Sequence, residues 1–568
     1  DIPTGGTAAT RTMIANGGAA GGVMGCILGG DNVIDHVEIT GEFSLQAHSG
    51  TITFAAAGAY VGMVKRGGLI LRNVALQDDL GAFKIYGVNG DGDKETEITE
   101  TTKKDYTTYF AGALCGKVED GYVLYEGYND STSAIWNKDV KAGSGNLSLI
   151  PYYDIVNGAY LDAQLNTSAV TITGPVDGKI TVTLPNAAAL QVMSMALNAG
   201  ALNTMSNDTK VNYGYTELSK SRKAKYDTIG ACSNAGESDY QAAVRYDNKV
   251  TYPYLYRYLG INEGNYQAYI LGNASILNAA GKINNTAYHT TWKLAENKTY
   301  DLALFGQAFR GIGALYDVSC STFRGNFDGN GSTVKYALQG LALDYTKNTT
   351  VGTAFPVSSG RRGLFNTLTG YKDESCYEPA GFTIQNLKLA GSIKIAGYAV
   401  LTVDAGGVAA YVNNARVTLS NIEVTEDFQI NAGTYKYDYH NGKHSTGGLI
   451  GRVVNNKQNL TIRNCKVSGT AGKPVSLTSL SHIGGFIGYV DLGSTDGELL
   501  IENTETDAAI DNLQLFSTKE IAGAVVGYMY RGKLTIRGTE NKPVTVQNTT
   551  VQGWWNVGGI VGETKEGV

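Results

Sequence analysis

The sequence predicts an all-β fold built from stacked repeats, and three observations lead to this prediction. A five-residue motif of Gly, then Gly or Ala, then two apolar residues, then Gly starts at residues 21, 58, 112, 447, 484, 523 and 558, with a degenerate copy at 406. The copies from 406 onward are 41, 37, 39 and 35 residues apart, and a period of about 20–50 residues is typical of solenoids. Between the motifs, short runs that alternate apolar and polar residues predict strands.

A second pattern, an apolar residue, any residue and then Asn, follows the glycine motifs. Its asparagines are Asn73, Asn386, Asn421, Asn464 and Asn503. His36 and Gly538 occupy the equivalent place in two other repeats. Because Asn, His and Gly tolerate a positive φ, we predict one left-handed bend per repeat, with side-chain amides stacked from rung to rung. The alternative is that Asn stands here only because it is common in turns.

The composition excludes several classes of protein. The chain has 568 residues, a net charge of −6 and only 17% charged residues, so it lacks the basic footprint of a nucleic-acid-binding protein. Its apolar residues form no run long enough for a transmembrane helix. The chain starts at Asp1, close to a repeat and without a signal peptide, so we expect it to be an interior piece of a longer polypeptide.

The distribution of the glycine motif divides the chain into three regions. Residues 1–130 are predicted to be the C-terminal part of a first array, and residues 291–568 a second array. The motif is missing from residues 131–290, which we expect to form a small mixed α/β module between the arrays. This module should contain a hairpin over residues 170–184, turning at an Asp-Gly pair, and one clear helix over residues 186–199 that ends at a glycine.

Four tyrosines alternate with other residues in the middle module: Tyr252, Tyr254, Tyr256 and Tyr258. In an extended segment, side chains two residues apart lie on one side, so the four rings form a candidate binding row. An exposed row of this kind is able to stack on sugars or on a partner. The alternative interpretation is that the rings pack against the neighbouring solenoid.

An acidic loop in the first array is a candidate calcium site. Oxygen-bearing side chains recur through it: Asn89, Asp91, Asp93, Glu95, Glu97 and Glu100. The separation of the first and last of them matches the first and last ligands of a 12-residue calcium loop. Against this, Lys94 stands where such loops need Gly, and a solvated acidic loop is the alternative. Apart from possible calcium, we expect no cofactor.

No catalytic residue stands out in the sequence. Asp328, Asp404 and Asp438 are isolated from one another, whereas glycosidases need a pair of neighbouring carboxyl groups. His440 and His444 are four residues apart but flank a glycine and no predicted helix, so they do not match a metalloprotease motif. The six cysteines lack CxxC spacing, and Cys115 and Cys465 are interpreted as small buried hydrophobic residues.

The glycine motif with its following apolar-x-Asn pattern resembles the GLUG repeat of bacterial surface proteins. Residues 323–334, FRGNFDGNGSTV, are similar to a segment that recurs in bacterial β-helix adhesins, and the helix ahead of them resembles the short helical element that precedes such β-helices. The resemblance covers both outer regions and reaches into the middle. It implies an exported, right-handed parallel β-helix at the cell surface, without catalytic residues.

These observations lead to three functional hypotheses. The first is a non-catalytic extracellular protein of the bacterial cell surface, a stiff repeat stalk or adhesin that mediates attachment or surface assembly. The second is a carbohydrate-active β-helix enzyme, a polysaccharide lyase or glycoside hydrolase, because fold alone does not determine function. The third is a self-assembling filament or surface-layer subunit. The expected partners are a glycan or protein of a host or neighbouring cell surface, or further copies of the chain.

Overall fold

A computed structural model describes most of the repeat regions and part of the segment between them. The described residues are 11–16, 19–27, 31–39, 43–48, 54–76, 84–88, 108–112, 114–126, 148–149, 155–176, 179–200, 258–260, 290–313, 323, 325–342, 360–369, 381–397, 403–432, 444–454, 459–505 and 509–566. They fall into two compact units, the first reaching Ala163 and the second beginning at Gln164. The fold is a β-solenoid of about seven turns.

The first unit is built from short parallel strands. They are β1 (Arg11–Asn16), β2 (Ala19–Gly21), β3 (Met24–Ile27), β4 (Asp31–Asp35), β5 (Glu38–Ile39), β6 (Phe43–His48), β7 (Phe54–Gly58), β8 (Val61–Arg72), β9 (Ala75–Leu76), β10 (Lys84–Val88), β11 (Thr108–Gly112), β12 (Cys115–Glu126), β13 (Ser148–Leu149) and β14 (Ile155–Asn157). Their sheets have the orders β1-β6-β10, β13-β11-β7-β2, β14-β12-β8-β3 and β5-β9, with β4 also paired to β8. Strands from successive turns pair in parallel, as β2, β7 and β11 do.

Two α-helices are described, α1 (Gly158–Asn166) and α2 (Ala187–Gly200). The second unit begins with the strands β15 (Thr171–Val176), β16 (Lys179–Leu184), β17 (Thr290–Leu294), β18 (Thr299–Asp301), β19 (Asn326–Asp328) and β20 (Thr333–Ala342), and with a 3-10 helix over Leu302–Ala308. β15 and β16 form an antiparallel hairpin, and β16 pairs in parallel with β17. The hairpin and the helix α2 confirm the prediction for these stretches, although the Asp-Gly turn itself lies outside the described residues.

The remaining strands of the second unit follow turn by turn. They are β21 (Gly360–Arg362), β22 (Phe365–Thr369), β23 (Gly381–Gly397), β24 (Val403–Gly406), β25 (Ala409–Asn413), β26 (Arg416–Val424), β27 (Gln429–Ala432), β28 (Ser445–Gly447), β29 (Ile450–Val454), β30 (Leu460–Arg463), β31 (Lys466–Ser468), β32 (Val475–Ser479), β33 (His482–Gly484), β34 (Ile487–Asp491), β35 (Glu498–Glu502), β36 (Ala509–Asp511), β37 (Leu513–Ser517), β38 (Ile521–Gly523), β39 (Val526–Arg531), β40 (Lys533–Arg537), β41 (Thr545–Gln547), β42 (Thr550–Gln552), β43 (Val557–Gly558) and β44 (Val561–Thr564).

From β21 onward, the turns of the second unit contribute to three sheets. The first narrow sheet has the order β21-β24-β28-β33-β38-β43, and the second narrow sheet has the order β22-β25-β29-β34-β39-β44. The wide sheet takes up to three strands from one turn: β30, β31 and β32 pair with β35, β36 and β37, which pair with β40, β41 and β42. The pairings between turns are parallel, so this unit is a parallel β-helix, as the sequence predicts.

The glycine motif forms the corner between the two narrow sheets. Gly447, Gly484 and Gly523 are direct register partners in neighbouring turns, which confirms that consecutive copies lie one rung apart. The shared pattern of these copies at near-constant spacing predicts that they form neighbouring parallel strands of one sheet. The prediction of one sheet is wrong, because the first Gly ends one strand and the next strand starts three residues later in the other sheet. A Cβ on Gly447 would lie 2.1 Å from the backbone oxygen of Ile450, so the corner leaves no space for a side chain.

The interior of the second unit is filled by columns of side chains, one member per turn. Ile384, Leu419, Ile462 and Ile501 are register partners on successive turns, and each is at most 1% exposed. Repeats that cannot bury their apolar residues alone gain a continuous core by stacking in this way. Near the start of the array, aromatic rings pack in the interior, with the ring centroids of Phe323 and Phe365 4.6 Å apart.

The helix α2 packs on the first turn of the second unit. It contacts β16, β18 and the 3-10 helix, and Ser194 Oγ and Asn198 Nδ2 both donate to the carbonyl of Gly311. Asn186 caps its N-terminus through a 3.0 Å bond from Ala189 N to Asn186 Oδ1. A helix placed here covers the end of the apolar interior, which a solenoid would otherwise expose to water.

Described strands between the predicted boundaries at residues 130 and 290 belong to sheets of the two units. β14 extends a sheet of the first unit by pairing with β12, and β16 extends the wide sheet of the second. Much of the predicted middle module, 201–257 and 261–289, lies outside the described residues. For residues 201–257 and 261–289, the existence of a separate module therefore stays a prediction.

The predicted left-handed bends are present at five of the seven positions. Positive φ angles of 48–54° occur at His36, Asn73, Asn386, Asn421 and Asn464. Asn503 and Gly538 do not have a positive φ, so the prediction is wrong for these two. At Asn503 the amide instead bonds the carbonyl of Pro543 in the next turn, 2.9 Å away, and the bend forms without left-handed backbone.

Candidate functional site

The main candidate site is a surface pocket of about 410 Å³ on the wide sheet of the second unit, here called the asparagine groove. Its lining is Glu296, Asn297, Asn330, Gly331, Asn386, Leu387, Lys388, Asn421 and Glu423. The four asparagines come from bends in successive turns of the solenoid, two of them from the apolar-x-Asn pattern. The volume lies within the range of about 300–1,000 Å³ that is usual for ligand sites.

The four bends lie in one row, because they share a left-handed backbone conformation and occupy equivalent places in successive turns. Asn297, Asn330, Asn386 and Asn421 have φ angles of 51°, 51°, 54° and 53°. Backbone hydrogen bonds hold three of these bends in register, from Asn297 N to the Asn330 carbonyl at 3.2 Å and from Gly331 N to the Asn386 carbonyl at 2.8 Å. The row thus follows the stacking direction of the solenoid.

The carboxylate of Asp328 orients the amide of Asn386 and, through it, the amide of Asn421. Asn421 Nδ2 donates to Asn386 Oδ1 at 3.1 Å, and Asn386 Nδ2 donates to Asp328 Oδ1, also at 3.1 Å. Asp328 Oδ1 also accepts from the backbone N–H of Asn330. Because an ionised carboxylate only accepts, it fixes the amino group of Asn386 toward itself and its oxygen toward Asn421. This pair is an Asn-to-Asn hydrogen bond between neighbouring bends, so the predicted amide ladder is confirmed for this step.

The charged side chains of the groove have a net negative charge. Lys388 Nζ lies 3.7 Å from Glu423 Oε2, and both side chains are about half exposed. Glu296 Oε1 accepts from Asn297 Nδ2 at 3.4 Å. Two carboxylates and one ammonium group therefore face this pocket. Because both side chains are this exposed, their ion pair contributes little to stability. Their charged groups are accessible to a ligand.

The sequence reasoning missed Asn297, Asn330, Glu296, Lys388 and Glu423 as members of one site. Asn330 had a signal, since Asn330-Gly331 is a strong turn dipeptide. Asn297 follows a short alternating strand, and its position resembles the bends that the pattern identified. The two acids and the lysine carry no periodic signal, so only the fold brings them together.

A second polar feature is buried beside the corner of the two narrow sheets. Arg452 Nε donates to Asp404 Oδ1 at 2.6 Å, and Arg361 Nε lies 3.6 Å from Asp404 Oδ2. Asp404 is fully buried. The guanidinium group of Arg361 lies 3.5 Å from the centroid of the Tyr411 ring, a favourable cation–π contact. These contacts surround the carboxylate with positive charge, so we assign Asp404 a structural role.

An aromatic column continues this feature toward later turns. Arg452 lies over the ring of Tyr489 at 4.6 Å, and the rings of Tyr489 and Tyr528 are stacked with centroids 5.5 Å apart. His482 stacks on Tyr528 at 5.0 Å. Burial raises the pKa of Tyr489 to about 12, so its hydroxyl stays protonated at neutral pH.

Glu502 is a second carboxylate, after Asp404, whose charge is neutralised by arginines of neighbouring turns. Arg463, Glu502 and Arg537 are register partners on three turns, and both arginines contact the glutamate, at 2.6 and 2.7 Å. Burial raises the pKa of Glu502, but the hydrogen bonds from Arg537 and Arg463 lower it more, and the net pKa lies below the usual value. In the first unit, Arg72 similarly lies between Asp35 and Glu126.

Most of the other predicted site residues lie outside the described part of the chain. This applies to the whole calcium loop from Asn89 to Glu100, to Tyr252, Tyr254 and Tyr256, and to Asp438. Tyr258 is described; it is half-buried and is followed by the fully buried Leu259. Among the structural asparagines, Asn73 donates to Asp35 at 3.2 Å. Asn464 accepts from the backbone of Thr504 at 2.7 Å.

The two buried cysteines fit the sequence interpretation. Cys115 and Cys465 are both buried, and burial raises the pKa of Cys465 to about 12. A thiol with so high a pKa is a poor nucleophile. Within the described residues, no group of three or more His, Cys, Asp or Glu side chains is placed to hold a metal ion.

Comparisons with protein-family models, curated proteins and solved structures found no match to this chain. Among the described helices, none is long and apolar enough to cross a membrane.

Proposed function

We propose that this chain is a non-catalytic, extracellular protein of the bacterial cell surface, a stiff stalk that mediates attachment. The observation that carries the proposal is the parallel stacking of the second unit, in which the strands of the wide sheet pair in parallel from β16 to β42. From β21 onward, each turn is hydrogen-bonded to the next along three sheets, so bending the stack strains several backbone hydrogen bonds at once. Such a structure suits a rigid spacer that holds binding surfaces away from a cell.

The surroundings of the acidic side chains favour this proposal over an enzyme. Asp404, Glu502 and Asp491 each contact at least one arginine, and Asp328 is used to orient a bend. A general acid in a glycosidase needs the opposite environment, which raises the pKa of its carboxyl group. These four acids therefore serve the scaffold, and a carbohydrate-active site is the less supported alternative.

Antibodies against the purified chain provide the test in cells of the source bacterium. We expect intact and permeabilised cells to be labelled equally, because the protein would lie outside the cell. We also expect the antibodies, or deletion of the gene, to reduce attachment of the cells to their target surface. Labelling that requires permeabilisation would contradict the proposed location, and unchanged attachment after deletion would contradict the proposed role.

A further inference from the structure

We propose that the asparagine groove binds a neutral oligosaccharide that lies along the stacking direction of the solenoid. The inference rests on the proposed attachment function for the biological role of the binding. The site itself is defined by the residues that line the groove. Within the described residues, this pocket brings together four side-chain amides, two carboxylates and one ammonium group.

The amides match the chemistry of sugar hydroxyl groups. Each Asn side chain carries two N–H donors and an acceptor oxygen, and each hydroxyl group both donates and accepts. Part of this capacity is used within the protein, since Asn330 Nδ2 donates to the Leu294 carbonyl and Asn386 is bonded through both its amide nitrogen and its oxygen. The second N–H of each amide and the oxygens of Asn297, Asn330 and Asn421 are the groups that are able to bond a run of hydroxyl groups. An apolar ligand would find little support here, because Leu387 is the single apolar side chain of the lining and is only 1% exposed.

The charge of the groove selects against acidic ligands. Glu296 and Glu423 give two negative charges, while Lys388 gives one positive charge and is already within 3.7 Å of Glu423. A sulfated or uronate-containing chain, like a nucleic acid, would meet net repulsion at this surface. Neutral sugars meet no such cost, and carboxylates are good acceptors for their hydroxyl groups.

The geometry favours a linear ligand. Asn297, Asn330, Asn386 and Asn421 come from successive turns, and neighbouring parallel strands are about 4.8 Å apart. The amide row therefore repeats at a spacing close to the length of one sugar ring in an unbranched chain. Asn386 and Asn421 are held by their mutual hydrogen bond and by Asp328, so part of the row is ordered before the ligand arrives, which lowers the entropic cost of binding.

The test uses the full chain and immobilised, unbranched neutral oligosaccharides: glucans, mannans, galactans and chitin oligomers. Sulfated and uronate-containing chains of the same lengths form the second arm. We expect binding to at least one neutral series and at least tenfold weaker binding to its charged counterparts. A tenfold ratio corresponds to about 1.4 kcal/mol. The inference would be overturned if the chain bound none of the neutral series, or if it bound the charged oligosaccharides more tightly than the neutral ones.

A double variant, Asn297→Gly with Asn421→Gly, locates the site. Glycine accepts the left-handed φ of both bends, so the variant removes two exposed amides and keeps the backbone conformation. We expect at least tenfold weaker binding than for the unchanged chain. The matched control is Asn548→Gly, since Asn548 is also exposed, has a φ of 47° and bonds one neighbouring side chain, but lies outside the groove. Equal losses in the double variant and the control would overturn the inference.

The two proposals fail in different ways. Surface labelling of intact cells tests the proposed function and does not depend on the asparagine groove. Oligosaccharide binding by the purified chain tests the groove and does not depend on cell location. A chain that lies on the cell surface and binds no neutral oligosaccharide would leave the attachment function in place and contradict the inference.

Discussion

A bend asparagine of this solenoid has two roles, one for its backbone and one for its amide. At Asn464 the backbone takes a φ of 53°, which most residues with a Cβ avoid. The side-chain oxygen accepts from the backbone N–H of Thr504 in the next turn. The first role is visible in the sequence, because His36 stands where other repeats have Asn and both residue types tolerate a positive φ. The second is not, because the partner of each amide depends on the local path of the following turn.

We predict that Asn464→Ala lowers the free energy of unfolding by about 1–3 kcal/mol, from the lost hydrogen bond and the strained left-handed backbone. Asn464→Gly removes the same hydrogen bond without the strain, so it should cost less. Chemical denaturation of the two variants measures both contributions. A loss for Asn464→Gly that equals or exceeds the loss for Asn464→Ala would contradict the role of the backbone conformation.

Asp404 offers a test of the buried ion pair. We expect Asp404→Ala to destabilise the protein by about 3–5 kcal/mol, because it leaves Arg452, 6% exposed, without its 2.6 Å carboxylate partner. The double variant Asp404→Ala with Arg452→Met should recover part of this loss, since no uncompensated charge remains at that position. Thermal unfolding of the three proteins compares them. A double variant that is less stable than Asp404→Ala would contradict the electrostatic explanation.

Glu502 predicts a pH dependence of stability. Its pKa is lowered in the folded protein, so its contribution is fully present above the pKa of an unfolded glutamate, about 4.3. This contribution is lost as the pH falls further through the folded pKa. We expect Glu502→Gln to reduce the loss of unfolding free energy between neutral pH and about pH 3. The exposed Glu540 gives the control, Glu540→Gln, and an equal reduction in the control would be evidence against the assignment.

At the scale of elements, the corner between the narrow sheets explains why the glycine motif recurs. The sequence identified the motif, its spacing and the one-rung pairing of its copies. It did not reveal that each copy is divided between two sheets. A Gly-rich run lacks the alternation of apolar and polar residues from which the end of a strand could be recognised. The helix α1 was also missed. Leu161 and Leu165 are four residues apart as in a helix, but nine residues are too few for a clear pattern.

We predict that Gly484→Ala destabilises the protein by at least about 1–3 kcal/mol, the usual range for overpacking a core. A Cβ at Gly484 would lie 2.1 Å from the backbone oxygen of Ile487 and 2.6 Å from the nitrogen of Gly527. The control is Gly472→Ala, where a Cβ meets nothing within 4 Å and the change should stay within about 0.5 kcal/mol. Urea denaturation measures both, and similar effects of the two substitutions would contradict the tight corner.

At the scale of the whole molecule, the repeat period carries most of the information about the fold. Copies at near-constant spacing predict stacking, and parallel stacking of equivalent residues follows from it. The asparagine groove was predictable only in part. Asn386 and Asn421 stand in a recognisable pattern, whereas Glu296 and Lys388 reach the same pocket because separate turns place them side by side. Contacts between such residues of different turns follow no fixed spacing, so a single sequence does not reveal them.

The central claim is that successive repeats stack as parallel rungs in one register, and distances between spin labels test it most directly. Gln429, Ser476, Gln514 and Thr550 are register partners on four successive turns, and none of them is buried. Labels on Gln429 paired with each of the other three should report backbone separations of about 5, 10 and 14 Å, one strand spacing per turn. Separations that do not increase in equal steps along this series would contradict the parallel β-helix.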